Sequence, residues 1–174
     1  MSGSAFTIRP ENHSDTAGVY AVNTAAFNGT DEVKLIQDLR AQCDDLISLV
    51  AVDGEAIVGH ILFSPLTIHD SNKITPAMSL APLAVLPAYQ KMGVGSQLIS
   101  VGLEACRAAG HSIVIVLGHP GYYPRFGFQQ ASRFNIRWEH EAPDEAFMVV
   151  GLQPDALQDV KGIARFHPAF DQFS

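Results

Sequence analysis

Gln90, Lys91, Met92, Gly93, Val94, Gly95 and Ser96 make a QxxGxG turn. It lies between an apolar run, Leu83 to Pro87, and a helix-like stretch, Val94 to Ala109. Strand, glycine turn and helix in that order form an anion site. Glycines let the backbone approach the ligand, and the first helical turn adds unpaired N–H groups and the positive end of its dipole. The anion that suits this layout is a phosphate or pyrophosphate. A P-loop would need GxxxxGK before Ser or Thr, and a dinucleotide site would need GxGxxG at the head of a repeating βαβ pattern; neither occurs.

A second reactive group lies downstream. The continuous β-branched run Ile113 to Leu117 is expected to be a central strand buried on both faces, ended by Gly118-His119-Pro120-Gly121. Tyr122-Tyr123-Pro124-Arg125-Phe126-Gly127-Phe128 follows, offering phenols for proton donation or for aromatic packing. His119 offers substrate contact or proton relay, and equally a plain hydrogen bond at a strand end. The other histidines show no metal-ligand spacing, so no metal is expected. Cys43 and Cys106 are widely separated and read as small buried hydrophobes, and no base adjoins Cys106 to make it an acyl-carrying nucleophile.

Pro82 interrupts what is otherwise a strand, Met78 to Val85. Proline cannot donate to a ladder, so a bulge or a locally unpaired stretch is expected there and the strand should splay. With QxxGxG first and YxxxGF after the next strand, the chain resembles the GCN5-related N-acetyltransferases, and within them the predicted bacterial YhbS subgroup. The segments Leu80 to Pro87 and Gly118 to Phe128 carry that likeness, which runs from Ile8-Arg9-Pro10 to Arg165-Phe166-His167-Pro168-Ala169-Phe170.

The resemblance implies an α/β fold, a central, splayed mixed β-sheet flanked by helices. It also implies acetyl-coenzyme A as donor, its pyrophosphate on the amides of Gln90 to Ser96. The pantetheine arm would pair with Leu83, Ala84 and Val85, with Tyr123 and Phe126 also against the cofactor. Tyr123 matches the family's general acid, and Tyr122 is the alternative. A phenol near pKa 10 facing a thiol near about 8.5 makes donation mildly uphill unless the site tunes it. The amide of Val85 or Leu86 would face the thioester carbonyl. Glu32, at the start of the second helix, is the candidate base, with Asp31, Glu139 or a water chain as rivals; its non-catalytic role would be to complement the helix dipole.

The expected function is therefore acetyl transfer to a primary amine, a small molecule or a peptide, directly within a ternary complex. The competing class is an acyl-CoA-binding sensor or partner-binding module without turnover; a nucleotide-phosphate protein is opposed by the missing Walker lysine and ribose acid. With 174 residues, 47% of them hydrophobic, one domain over 1–174 is expected. A net charge of −7 disfavours a nucleic-acid surface and weakly favours a cationic partner such as an amine. No run is long enough for a membrane helix, and Met1 to Ala5 does not read as a secretory leader, so a cytoplasmic location is expected. A homodimer is compatible with such a fold, but no residue argues for it.

The elements that must position these residues follow from patterning. Ile8 to Pro10 reads as a first strand, and Asn12 or Ser14 caps a helix from Asp15 to Phe27 with Val19, Val22 and Phe27 inward. Thr30 caps a second helix running to about Cys43. Leu46 to Val52 and Ala56 to Ile68 read as a hairpin turned at Asp53-Gly54, with Gly59 marking a bulge and His69 to Pro76 a loop. The helix after the glycine turn should bury Leu98, Val101, Ala105 and Cys106 and stop at Gly110. Phe147 to Leu152 and Gly162 to His167 read as late strands.

Overall fold

The computed structural model describes residues 6–173, so the expectation for Met1 to Ala5 lies outside the described residues. In chain order the elements are β1 Phe6–Pro10, α1 Thr16–Phe27, α2 Asp31–Gln42, β2 Ile47–Asp53, β3 Ala56–Asp70, β4 Lys73–Val85, α3 Val94–Ala108 and β5 Ile113–Leu117. The short strands β6 Gln129–Gln130, β7 Ile136–Trp138, β8 Phe147–Gly151 and β9 Gly162–Arg165 complete them. The backbone groups into two compact units, one of residues 6–63 with Ala81–Glu104, the other of Ser64–Leu80 with residues 105–173.

In the first unit β1 runs antiparallel to β2, from Phe6 opposite Asp53 to Pro10 opposite Leu49. β2 is antiparallel to β3, and the register shifts between Ala51, opposite Gly59, and Val52, opposite Ile57, so a bulge is present with Val58 as the extra residue, next to the Gly59 expected to mark it. A Cβ on Gly59 would lie 2.9 Å from a Val94 side-chain carbon and 3.0 Å from one of Leu98, so this bare position lets the start of α3 settle on β3. The hairpin loop is Gly54-Glu55, one residue later than expected, because Asp53 still pairs with Ala56.

The helices follow the expected limits closely, with two side chains turned the other way. Asn12 closes a capping box with Asp15 in the short turn before α1. Thr30 occupies the cap position of α2, but its side chain makes no capping bond. Val19 and Val22 are fully buried, whereas Phe27 is exposed at the last residue of α1, where the next residue, Asn28, is left-handed. On α3, Val94, Leu98, Ile99 and Cys106 are buried while Val101 is exposed, three residues from Leu98 but on the far side of Ile99 and Gly102.

Four elements of this unit meet in a buried polar chain that the sequence did not signal. The Ser48 hydroxyl on β2 donates to Glu11 Oε1 at 2.5 Å. It therefore accepts from His60 Nε2–H on β3, 2.9 Å away. His60 Nδ1 in turn accepts from the Asn23 amide of α1 at 3.0 Å. Arg40 of α2 closes the far end on Glu11 at 2.6 and 2.8 Å.

In the second unit β4 is parallel to β5 at two positions, Met78 opposite Val114 and Ser79 opposite Ile115. β5 is antiparallel to β8 along its whole length, and β8 to β6. The outer end of β3 is antiparallel to β9, and β9 is parallel to β7, so the sheet is mixed as expected. The stretch His69 to Pro76 is not a loop. β3 continues to Asp70 and β4 begins at Lys73, leaving only Ser71-Asn72 to turn. Polar composition misled there because a hairpin end needs only two turn residues, and its partner strands tolerate polar side chains facing solvent. The core of this unit joins Ile113 and Ile115 of β5 with Ile68, Phe147, Val149 and Ala164.

The His60 chain gives the fold a pH signature. Burial, and secondarily the Arg40 charge, lower the imidazole from 6.5 to about 3. An unfolded chain takes up the proton near its ordinary value while the folded chain refuses it. Stability from this residue is thus complete above that value and is lost as pH falls toward 3. The stability gap between wild type and His60→Gln, measured by urea unfolding, is expected to narrow by about 2 kcal/mol between pH 7 and pH 5. A pH-independent gap would show that the imidazole is not held neutral.

Candidate active site

The glycine turn is built by chain direction. Along a strand successive amides point to opposite edges. At the end of β4 the Leu86 N–H donates to the Val58 carbonyl of β3 at 2.9 Å. The Val85 N–H consequently faces the other edge, and of the two amides expected to serve a carbonyl, Leu86 is already committed. The Gln90 side chain donates from Nε2 to the Val85 carbonyl at 3.2 Å and braces the turn back onto the strand it leaves. That places the Gln90 side chain on protein backbone and leaves anion contact to the main chain.

Lys91 and Gly93 take positive φ, 64° and 87°. A left-handed backbone at Gly93 favours glycine over a β-branched residue even where space is open, as it is there. The turn then enters α3, and Gln97 N–H bonds back to the Gly93 carbonyl at 3.0 Å. The amides of Val94 and Gly95 precede that bond, so they and the helix dipole make this end of α3 fit for a phosphate. Met92 is exposed beside them, Leu83 and Val85 are half-buried, and Ala84 points into the core.

The tyrosine segment folds separately, in the second unit. The Gly118 N–H continues the β5–β8 ladder onto the Ala146 carbonyl at 2.9 Å, and the chain then breaks into a tight turn. His119 holds that turn, its Nδ1 accepting from the Gly121 N–H at 3.0 Å and its carbonyl from the Tyr122 N–H at 3.1 Å. Of the roles expected for His119, the plain strand-end hydrogen bond is the one seen. Tyr123 opens a short 3-10 turn to Phe126, and Gly127 ends it at φ 97°. The Tyr123 ring sits edge-on to Tyr122 at 5.2 Å and to Phe128 at 5.7 Å, and the half-buried Phe126 packs on Tyr122 at 5.4 Å.

Burial, then the neighbouring Tyr122, push the Tyr123 phenol up to about 12. The environment therefore tunes this phenol away from a thiol, opposite to the direction that would ease proton transfer. The group stays neutral and is suited to donate a hydrogen bond.

The carboxylates divide differently. Glu32 lies half-buried in the first turn of α2, with no ion pair or hydrogen bond to its carboxylate among the described residues, and Asp31 beside it is exposed. Glu139 accepts from the Phe166 N–H at 3.2 Å, which makes it a brace in the second unit. Cys106 is buried and Cys43 half-buried at the end of α2, neither in a disulfide. Among the described residues no group of three His, Cys, Asp or Glu could hold a metal ion, and no helix is long and apolar enough to cross a membrane. Sequence reasoning passed over Trp138 and His140, whose rings meet edge to face at 5.0 Å, because the stretch from Arg133 to Ala142 carries no regular period.

Comparison with known proteins adds a family. The model for the acetyltransferase (GNAT) domain matches residues 7–131. The uncharacterized N-acetyltransferase YhbS of Escherichia coli (strain K12) is 34% identical over 167 residues, covering 95% of this chain and 99% of that protein. A crystal structure of E. coli YhbS in complex with CoA superposes with a TM-score of 0.91 at 32% identity, covering 100% of this chain and 96% of that one. A GNAT family acetyltransferase from Brucella melitensis in complex with acetyl-CoA gives 0.77 at 33% identity, covering 95% and 98%.

A Cβ at Gly118 would overlap the Tyr123 ring, although the backbone there is open to any residue. Gly118→Ala is expected to cost about 1–3 kcal/mol in urea unfolding through overpacking. An unaltered midpoint would mean that the ring is not seated against this residue.

Proposed function

The chain belongs to the acetyltransferase (GNAT) family, and from that premise we propose that it transfers the acetyl group of acetyl-CoA to a primary amine, directly, within a ternary complex. The observation that carries this reading is the β4–α3 turn, whose left-handed Gly93 opens onto amides ahead of the first helical hydrogen bond. Those amides suit the pyrophosphate of a CoA thioester, and the bound donor supplies an activated acyl carbon with a thiolate leaving group. The E. coli and Brucella relatives crystallised with CoA and acetyl-CoA support the choice of ligand.

In this reading the main chain from Val94 to Ser96 binds phosphate, with Lys91 and Met92 flanking it, while Leu83, Ala84 and Val85 lie along the pantetheine arm. The Val85 N–H, on the edge away from β3, donates to the thioester oxygen as negative charge grows there. The amine nitrogen attacks the acyl carbon, the new C–N bond forms as the C–S bond breaks, and the amine's proton passes to a base. Glu32 is assigned that base because its half-buried carboxylate has no other described partner. Tyr123 donates a hydrogen bond to the departing sulfur, its raised pKa making it a stabiliser of the thiolate. The proton that finally neutralises the thiolate comes from solvent. In this reading the enzyme works in the cytoplasm.

Two substitutions test these roles. Gly93→Val forces a β-branched residue into the left-handed region and should weaken CoA binding by roughly tenfold or more in calorimetry; unchanged affinity removes the turn from the cofactor site. Tyr123→Phe should slow turnover roughly 10- to 100-fold, the worth of one hydrogen bond to a charged group, with CoA affinity retained. A wild-type rate would take Tyr123 out of the reaction.

A further inference from the structure

Resting on the acetyltransferase reading above, we infer that a cavity in the second unit receives the acceptor, and that this acceptor is a primary amine on a flat apolar body, an arylalkylamine. The cavity holds about 740 Å³ and is lined by Leu117, Gly118, Trp138, His140, Glu141 and Phe173, among others. An adjoining cavity of about 720 Å³ shares Trp138, His140 and Glu141 and extends to Asp144 and Phe147. Both volumes lie in the range of small-molecule sites.

The chemistry of the walls selects the ligand. Trp138 is stacked on Phe147 at 6.2 Å and 17°, with Phe166 tilted against it at 6.0 Å, so the indole at the cavity wall is backed by two further rings. Leu117 and Phe173 are each 43% exposed at this cavity, large apolar side chains that a flat ligand would cover. Of the residues that line this cavity Glu141 alone carries a carboxylate; it is next in sequence to His140, whose Nε2 lies 3.6 Å from Asp171 Oδ1, outside the lining.

One carboxylate and an aromatic wall match one ammonium and one ring: Glu141 pairs with the acceptor as it arrives charged, and the nitrogen gives up that proton to solvent before the neutral amine attacks the acyl carbon. An aminosugar would need several hydrogen-bonding side chains for its hydroxyls, and a polyamine would need a second carboxylate inside the same cavity, whereas Asp144 lines only the adjoining one, together with Arg137. The cavity is also lined by Gly118, against which the Tyr123 ring is packed, so one residue separates it from the phenol assigned above to the leaving sulfur. Residues 132–173, which supply most of this lining, lie beyond the part of the chain that the family model matches.

Trp138 is the only tryptophan in the chain, so its fluorescence reports occupancy without any need for turnover. Titrating the full chain with phenethylamine should give a saturable change in emission, and Glu141→Gln, which keeps the fluorophore, should weaken that binding about tenfold. In thiol-release assays with acetyl-CoA, phenethylamine should exceed spermidine and glucosamine in kcat/KM by tenfold or more. An emission that ignores phenethylamine, a Glu141→Gln affinity equal to wild type, or a preference for spermidine or glucosamine each overturns the assignment. Saturable binding with thiol release from none of the three amines would uphold the pocket and sink the transferase reading instead.

Discussion

The hydrogen bond from the Leu86 amide to the Val58 carbonyl, at 2.9 Å, decides how the glycine turn is used. Because strand amides alternate, committing Leu86 to β3 turns the Val85 N–H to the opposite edge. The same bond anchors the end of β4 just before the chain reverses through Lys91 and Gly93, and Gln90 reinforces it by bonding to the Val85 carbonyl. α3 can then start on β3, where Gly59 has no side chain to hold it off. A site made of main-chain nitrogens depends on backbone direction, and here that direction follows from one ladder bond and two left-handed residues.

Polar groups buried behind this scaffold serve a different end. The chain from Asn23 through His60 and Ser48 to Glu11 and Arg40 ties α1 and α2 to β2 and β3. Every ring nitrogen of His60 has a partner, which offsets the cost of removing it from water while keeping it neutral. Its perturbed pKa would, in isolation, suggest a catalytic histidine. The saturated partner set and full burial argue for a cross-brace.

Tyr123 shows the converse case. Its phenol is packed by rings on two sides and backed by Gly118, and burial keeps it protonated. A neutral donor in an apolar setting stabilises negative charge on a neighbouring atom more strongly than one in water, without having to surrender its proton. The rings of Trp138, Phe147 and Phe166 form a separate packed set in the same unit, and Trp138 carries it to the cavity wall.

Sequence alone settled the order and type of the main elements, the strand–turn–helix around Gln90 to Ser96 and the tyrosine turn after β5. These are local matters: glycine and proline restrict the backbone wherever they stand, and apolar periodicity names the buried face. It could not settle which of Val85 and Leu86 turns its amide to β3, since ladder register depends on a partner strand more than twenty residues away. Nor could it bring Glu11, Arg40, Ser48 and His60 together, show that burial raises the Tyr123 pKa, or collect Trp138, His140 and Glu141 around a cavity. Desolvation, register and cavity shape arise only when segments distant in the chain pack, so they belong to the tertiary structure.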